Sequence, residues 1–373
     1  MFRIFYAKSD ATLYESINEY NVGLDEILEV GKRLDTDGET LLKSRAVLKF
    51  DMSEISQSLS KYSKTVNDCK FMMQLYTSHA KNLPSDYSIY AKLVGQDWIN
   101  GTGFESDPTI DGVSWTYPIS ASTWYSSSQN IQIGSSTLYV SGSISGGGSS
   151  MYQSDPSGST AGLIISESFS YRPTDLNMNV TDSLKIWLSG SGGASIPNYG
   201  FLLQFSDTDE ADDAVAGYVR FFSRDTHTIY VPKLIMYWDD VSYSSGSLTA
   251  INIESYSIYT KIKPAYKDTE IAKIRIYARD KYPQKSPTNL FPIQTVKRLP
   301  ATTYYTVIDA LTNETIIPYD DIYTKVSCDS TSNFFYIDFN GFMPERYYRI
   351  ELKIKDGIVE EYIADQIYFK VTQ

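Results

Sequence analysis

The sequence predicts an all-β protein built as two successive β-sandwiches. Three observations carry this. Short runs of alternating apolar and polar residues recur along the chain, as where Ala46, Leu48 and Phe50 alternate with Val47 and Lys49, and a period of two is the strand signature. Aromatics are 14% of the residues, with 31 tyrosines, and such side chains suit half-buried strand positions. Runs of helix formers are scarce, and 373 residues is ample for two cores.

In chain order, Phe2–Tyr6, Ala11–Leu13 and Ile27–Val30 read as strands, with a turn at Asn21-Val22-Gly23 and another at Asp35–Gly38. Alternation from Ala46 to Met52 predicts a strand, and Ser53–Leu59 a brief helical turn. Phe71–Leu75 and Ser88–Val94 follow as strands. The segment from Ser120 to Ser159 is rich in Ser and Gly. Such composition buries little apolar area, so it is expected to be a loop inserted in the first sandwich. Val140 and Ile144 leave room for a hairpin within it. A phosphate-binding loop is not expected, because no Lys-Ser/Thr follows its glycines. Leu163–Tyr171 is the next strand.

The stretch Val180–Phe205 organises this first part. Val180, Leu184, Trp187 and Leu188 have helical spacing, with Thr181 or Asp182 placed as a cap. Phe201, Leu203 and Phe205 alternate with Leu202 and Gln204, which predicts a strand packed on both faces. Gly190, Gly192, Gly193 and Pro197 break the chain between them. Tyr218–Ser223 and Leu234–Tyr237 complete the set. A polar hinge at Ser242–Gly246 places the domain boundary, giving domains 1–242 and 243–373.

In the second domain, Ile274, Ile276 and Ala278 alternate with Arg275, Tyr277 and Arg279. Phe335–Phe339, Ile350–Ile354 and Ile367–Val371 repeat the pattern. One apolar and one polar face per strand predicts a sandwich with a solvated outside. The strand spacing suggests an immunoglobulin-like β-sandwich or a relative of it.

The net charge is −12, which disfavours nucleic-acid binding because phosphates are repelled. The densest acidic run, Asp207–Asp213, reads either as a solvated loop or as a set of hard oxygen ligands for calcium, without a recognised loop spacing. Cys69 and Cys328, expected in different domains, supply neither a disulfide framework nor a paired metal motif. No apolar run reaches the length of a signal peptide or a membrane span, so synthesis in a reducing cytoplasm is the expectation. His79 and His227 are the two histidines. Ser223, Asp225 and His227 sit too close along the chain to form a catalytic triad, whose members come from separate loops. Two isolated histidines do not suggest zinc.

Two tryptophans stand beside glycine-rich turns, in Asp97–Gly103 and Asp111–Trp115. Trp98 and Trp115, with Trp124, are candidates for stacking on the apolar face of a sugar. The competing reading is that they anchor a core.

These motifs, taken in order, resemble the DNRLRE family, named for archaeal disaggregatase and found also as a carbohydrate-binding module in polysaccharide lyases. The matching positions are Asn21 and Gly23, then Leu28, Val30 and Gly31, then Arg45 and Leu48–Ser53. Leu75-Tyr76, Trp98 and Gly112–Trp115 follow. Val180–Asp182, Trp187, Asn198–Phe201, Phe222–Asp225 and Pro232–Leu234 end the set, which spans roughly residues 8–238. The family tends to have Glu where Asp225 stands, and the segment near Gly146 is longer here. The resemblance implies a jelly-roll-like β-sandwich for the N-terminal domain. The chain is also similar to structural proteins of tailed bacteriophages that share the segments seen here as Asp97–Gly103 and Asp111–Trp115. That similarity implies a non-enzymatic virion component of the tail, baseplate, neck or a fibre, assembled in the host cytoplasm. It implies other virion proteins and further copies of itself as partners, and no cofactor, metal, nucleic acid or membrane insertion. A host surface glycan is the alternative ligand.

Overall fold

The computed structural model describes residues 1–120, 122–133, 136–143, 146–153, 161–170, 174–189, 196–244 and 246–373. The chain divides into two units. Phe5–Met236 is the first; Tyr237–Gln373 with Met1–Ile4 is the second. The division at Met236 falls just upstream of the polar stretch expected to mark it.

The strands run β1 (Phe2–Tyr6), β2 (Ser9–Tyr14), β3 (Ile27–Leu34), β4 (Leu41–Lys49), β5 (Cys69–Leu75), β6 (Thr77–Lys81) and β7 (Asp86–Leu93). They continue with β8 (Gln129–Ile133), β9 (Ser136–Val140), β10 (Ile164–Ser170), β11 (Leu176–Asn179), β12 (Phe201–Phe205), β13 (Gly217–Phe222) and β14 (Lys233–Trp238). Three helices interrupt them: α1 (Met52–Lys61), α2 (Thr181–Ser189) and α3 (Asp207–Ala211). A four-stranded sheet has the order β1-β14-β5-β11, and a larger one the order β10-β7-β12-β4-β3-β13-β6, with β2 also paired to β4.

Strand β12 lies between β7 and β4. Its register sets Phe201 beside Leu93 and Leu48, and Leu203 beside Ala91 and Ala46. These residues share one face by the two-residue period. Leu202 points the opposite way, level with Val47 and Lys92, and is buried too. The expected two-faced strand is therefore present. Helix α2 docks on it through the edge of Trp187, whose ring lies 4.9 Å from that of Phe201. The helix opens at Thr181, so Thr181 and Asp182 lie within its first turn and do not precede it as caps; the Asn179 side chain, at the end of β11, accepts from the Thr181 amide at 3.2 Å.

Two local expectations change. Met52 opens a helix and does not end a strand, because the Asp51 side chain accepts from the Ser53 amide at 2.9 Å and caps α1. In the Ser/Gly-rich segment, β8 and β9 pair as a hairpin. Trp124, Leu138, Val140 and Tyr152 of that segment are buried, so part of it builds core. Ile144 lies outside the described residues.

The second unit holds β15 (Tyr256–Lys261), β16 (Ala265–Lys267), β17 (Ile271–Asp280), β18 (Thr303–Asp309), β19 (Thr315–Ile317), β20 (Ser327–Cys328), β21 (Asn333–Asp338), β22 (Tyr347–Asp356) and β23 (Val359–Thr372). Its two sheets have the orders β15-β17-β21-β20 and β16-β23-β22-β18-β19. The first edge strand is split: β15 joins one sheet, and β16 crosses to pair in parallel with β23 of the other. A four-stranded sheet facing one built on the remaining strands, with this order, is an immunoglobulin-like sandwich. Ile274, Ile276, Val307, Phe335, Ile350, Leu352 and Phe369 fill its core.

Candidate functional site

The three candidate stacking residues lie inside the first unit. Trp98, Trp115 and Trp124 are 4%, 5% and 2% exposed, in one cluster with Ala11, Leu13, Val47, Val94, Val113 and Leu202. Val47 and Leu202 belong to the face of the large sheet opposite Phe201 and Leu203. The chain after β7 thus returns over that face and packs its tryptophans against it. Their polar edges are satisfied internally: Trp98 Nε1 donates to the Tyr199 carbonyl at 2.7 Å, and Trp124 Nε1 to the Ser114 carbonyl at 3.1 Å. Cations cover two of the rings, with Lys49 5.2 Å from the Trp98 ring and Arg45 5.1 Å from the Trp115 ring. The structure brings the three residues together, but as core; no ring face is offered to a sugar.

The glycine-rich turns around them are held by one buried side chain. Asn21 Nδ2 donates to the carbonyls of Asn100 and Val113 at 2.6 and 2.7 Å, and Asn21 Oδ1 accepts from the amides of Gly23 and Gly103, each at 3.1 Å. All four hydrogen-bonding positions of the carboxamide are thereby used. The glycines are required by contact. A Cβ on Gly103 would lie 2.0 Å from the Asn21 carbonyl oxygen, and one on Gly112 2.4 Å from the Gly101 Cα. Asp111 clamps the same turn, accepting from Thr102 and Thr109, and these bonds hold its carboxyl below the ordinary range.

The acidic run Asp207–Asp213 begins as helix α3 and not as a loop. Ser206 caps it, accepting from the Asp209 amide at 3.0 Å. Glu210 turns inward and receives Arg45 on both oxygens at 2.9 and 2.5 Å. Lys32 Nζ donates to the carbonyls of Asp209, Glu210 and Asp212, the closest at 2.6 Å. A cation at the carbonyl end of a helix is favourable, although burial lowers the Lys32 pKa. Asp207 is met by Lys92 at 2.6 Å. Among the described residues no group of three or more His, Cys, Asp or Glu side chains is placed to hold a metal ion.

Other ionisable groups are also structural. A cavity of about 300 Å³ on the first unit is lined by Tyr14, Glu29, Arg33, Lys43 and Glu105. Its one buried carboxylate, Glu29, accepts from Arg33, from Arg220 at 2.8 Å and from Ser44 at 3.0 Å. His227 is 90% exposed beside Glu26, and His79 sits on β6 against Tyr218. Cys69 and Cys328 lie in different units, both buried and unbridged; burial pushes the Cys69 thiol up to about 11, which leaves it protonated and unreactive.

Sequence reasoning did not single out the outward face of β15, β17 and β21. There the register places Tyr259 beside Tyr277, Lys261 beside Arg275, Arg275 beside Phe334 and Lys273 beside Tyr336. Tyr259 is 67% exposed. Lys273 Nζ lies 3.6 Å from the centre of the Phe334 ring. Asp329 receives Arg275 through both guanidinium nitrogens at 3.1 and 3.0 Å, and Lys273 at 3.1 Å; this fork holds the Asp329 carboxyl far below its usual range. Arg279 donates to the Ile293 carbonyl at 3.4 Å, in a loop where Tyr282, Leu290, Phe291 and Ile293 are exposed. The signal in the sequence was charge: residues 261–298 carry ten Lys and Arg against three Asp and Glu, whereas Phe5–Met236 carries 16 against 27.

No protein-family model and no curated protein matches the chain. Among solved structures, the chain is similar to a β-glucuronidase of Parabacteroides merdae with glycerol in its active site, at 9% identity and a TM-score of 0.17. That match covers 81% of this chain and 28% of the glucuronidase, so the chain spans little more than a quarter of that protein. It is similar also to the adhesin domain of Epf from Streptococcus pyogenes, at 8% identity and a TM-score of 0.17, covering 100% of this chain and 97% of that one. Neither likeness carries an argument about function.

Proposed function

We propose that this chain is a non-enzymatic structural component of a tailed-phage particle, acting through protein–protein contacts. The phage assignment comes from the similarity carried by the segments Asp97–Gly103 and Asp111–Trp115. One observation supports the structural role: the motif residues themselves are joined as packing. Asn21, Gly23, Asn100, Gly103, Gly112, Trp98 and Trp115 form a single hub of buried rings, close backbone contacts and satisfied hydrogen bonds. What such a motif specifies is a packed body, since each member is engaged inside the fold.

Mass spectrometry of purified particles from the source tests the reading, together with a reconstruction of those particles at side-chain resolution. The expected result is stoichiometric chain at a fixed position with ordered neighbours. Particles that lack the chain, or a purified chain that turns over a polysaccharide, would remove the proposal.

A further inference from the structure

The face of β15, β17 and β21 is cationic and aromatic on a chain whose net charge is −12. Its tyrosines and arginines are residue types enriched where proteins meet, and acidic residues are depleted there. Asp329 offsets only one of the two cations Arg275 and Lys273, so the face keeps a positive charge there, to which Lys261 and Arg279 add. The apolar loop bearing Leu290, Phe291 and Ile293 adjoins the face through the Arg279–Ile293 bond and gives a docked partner apolar surface to cover.

We propose that this face binds the acidic first unit of a second copy of the chain. The inference rests on the reading of the chain as an assembling protein. Charge complementarity selects the occupant. The first unit has an excess of eleven carboxylates over basic side chains. Inward-facing Glu210 is neutralised by Arg45, while Asp212 and Asp213 on the same segment are exposed. The two patches differ, so the contact is heterologous: each copy offers one face and accepts another. Opposite potentials raise the rate of encounter and set the partner, and they make the contact sensitive to salt.

Analytical ultracentrifugation of the full chain at about 50 and about 500 mM salt, with the variant Lys261→Glu/Arg279→Glu, tests this. Wild type is expected to self-associate with concentration, and to do so at least about tenfold more weakly at the higher salt. The variant is expected to stay monomeric with an unchanged melting curve. Added in small amounts to wild type, it is expected to shorten the assemblies, because it keeps the acidic patch and lacks the basic one. Lys261→Gln/Arg279→Gln gives the same comparison if the reversal impairs folding. A wild type that is monomeric at low salt, or reversal without effect on association, overturns the inference. So does a monomer whose face instead binds heparin or single-stranded DNA, since the occupant is then an anionic polymer. A monomeric chain still found in purified particles overturns this contact alone and leaves the structural role standing.

Discussion

Asp10 is 1% exposed, and only one of its carboxylate oxygens is partnered. Oδ2 accepts from the Arg224 amide at 2.7 Å, while Oδ1 has no hydrogen-bond partner. Asp225, which repels it, also has a buried oxygen without one. Burial, reinforced by Asp225 and opposed by the Arg224 amide and charge, pushes the Asp10 pKa up from 3.8 to about 7. The folded pKa is raised, so the stabilisation is complete below the unfolded value and is lost as pH climbs through about 4 to about 7. Asparagine keeps the acceptor for Arg224, stays neutral at every pH and places a donor where Oδ1 stood. At about 1.4 kcal/mol per pKa unit, the advantage of Asp10→Asn over wild type should grow by about 3 kcal/mol between pH 4.5 and pH 8. Taking the difference between the two proteins cancels the other titrating groups. Urea titrations of both proteins at the two pH values measure it, following the transition of the first unit by tryptophan fluorescence. A difference that stays constant with pH would refute the argument. So would an Asp10→Asn protein less stable than wild type at pH 8.

Three further outcomes follow from the same contacts. Asn21→Ala strands two carbonyls and two amides in the turn hub, and is expected to cost at least about 3 kcal/mol in denaturant titration. Trp98→Ala, Trp115→Ala and Trp124→Ala are each expected to lower stability by about 3–5 kcal/mol; a glycan array should read the same for these proteins as for wild type, and a folded variant that loses a wild-type glycan signal would contradict the burial. Arg45→Ala leaves Glu210 buried without its cation, and should cost about 3–5 kcal/mol. Arg45→Ala combined with Glu210→Gln should recover part of that loss in a double-mutant cycle.

Much of the architecture was legible in the sequence because sheets with one wet face write an alternating pattern. Strands β5, β17 and β22 show it. So did the helix-to-strand stretch around Trp187 and Phe201. Strand β18, Thr303–Asp309, was missed for the opposite reason: it is buried at every position, lying between β22 and β19, so nothing alternates. Strand β6 is short and largely polar, and reads as loop. The helix α1 boundary moved because a cap, Asp51, outweighs a continuing apolar period. Within the Ser/Gly-rich segment, composition forecast little burial, yet Trp124 found a sheet face to cover, and Val140 and Tyr152 are buried.

The sequence by itself determined the all-β class, because alternating residues write strands into it. It could not assign the three candidate tryptophans a role, because an indole suits a sugar platform and a core equally well. The packing of Trp98, Trp115 and Trp124 against Val47 and Leu202 of the large sheet decided the matter, by supplying from within the chain the apolar partner that a ligand would otherwise have been. The basic aromatic face was likewise spread along the sequence as separate lysines, arginines and tyrosines. Only pairing of β15, β17 and β21 in one register put them on the same side of a sheet.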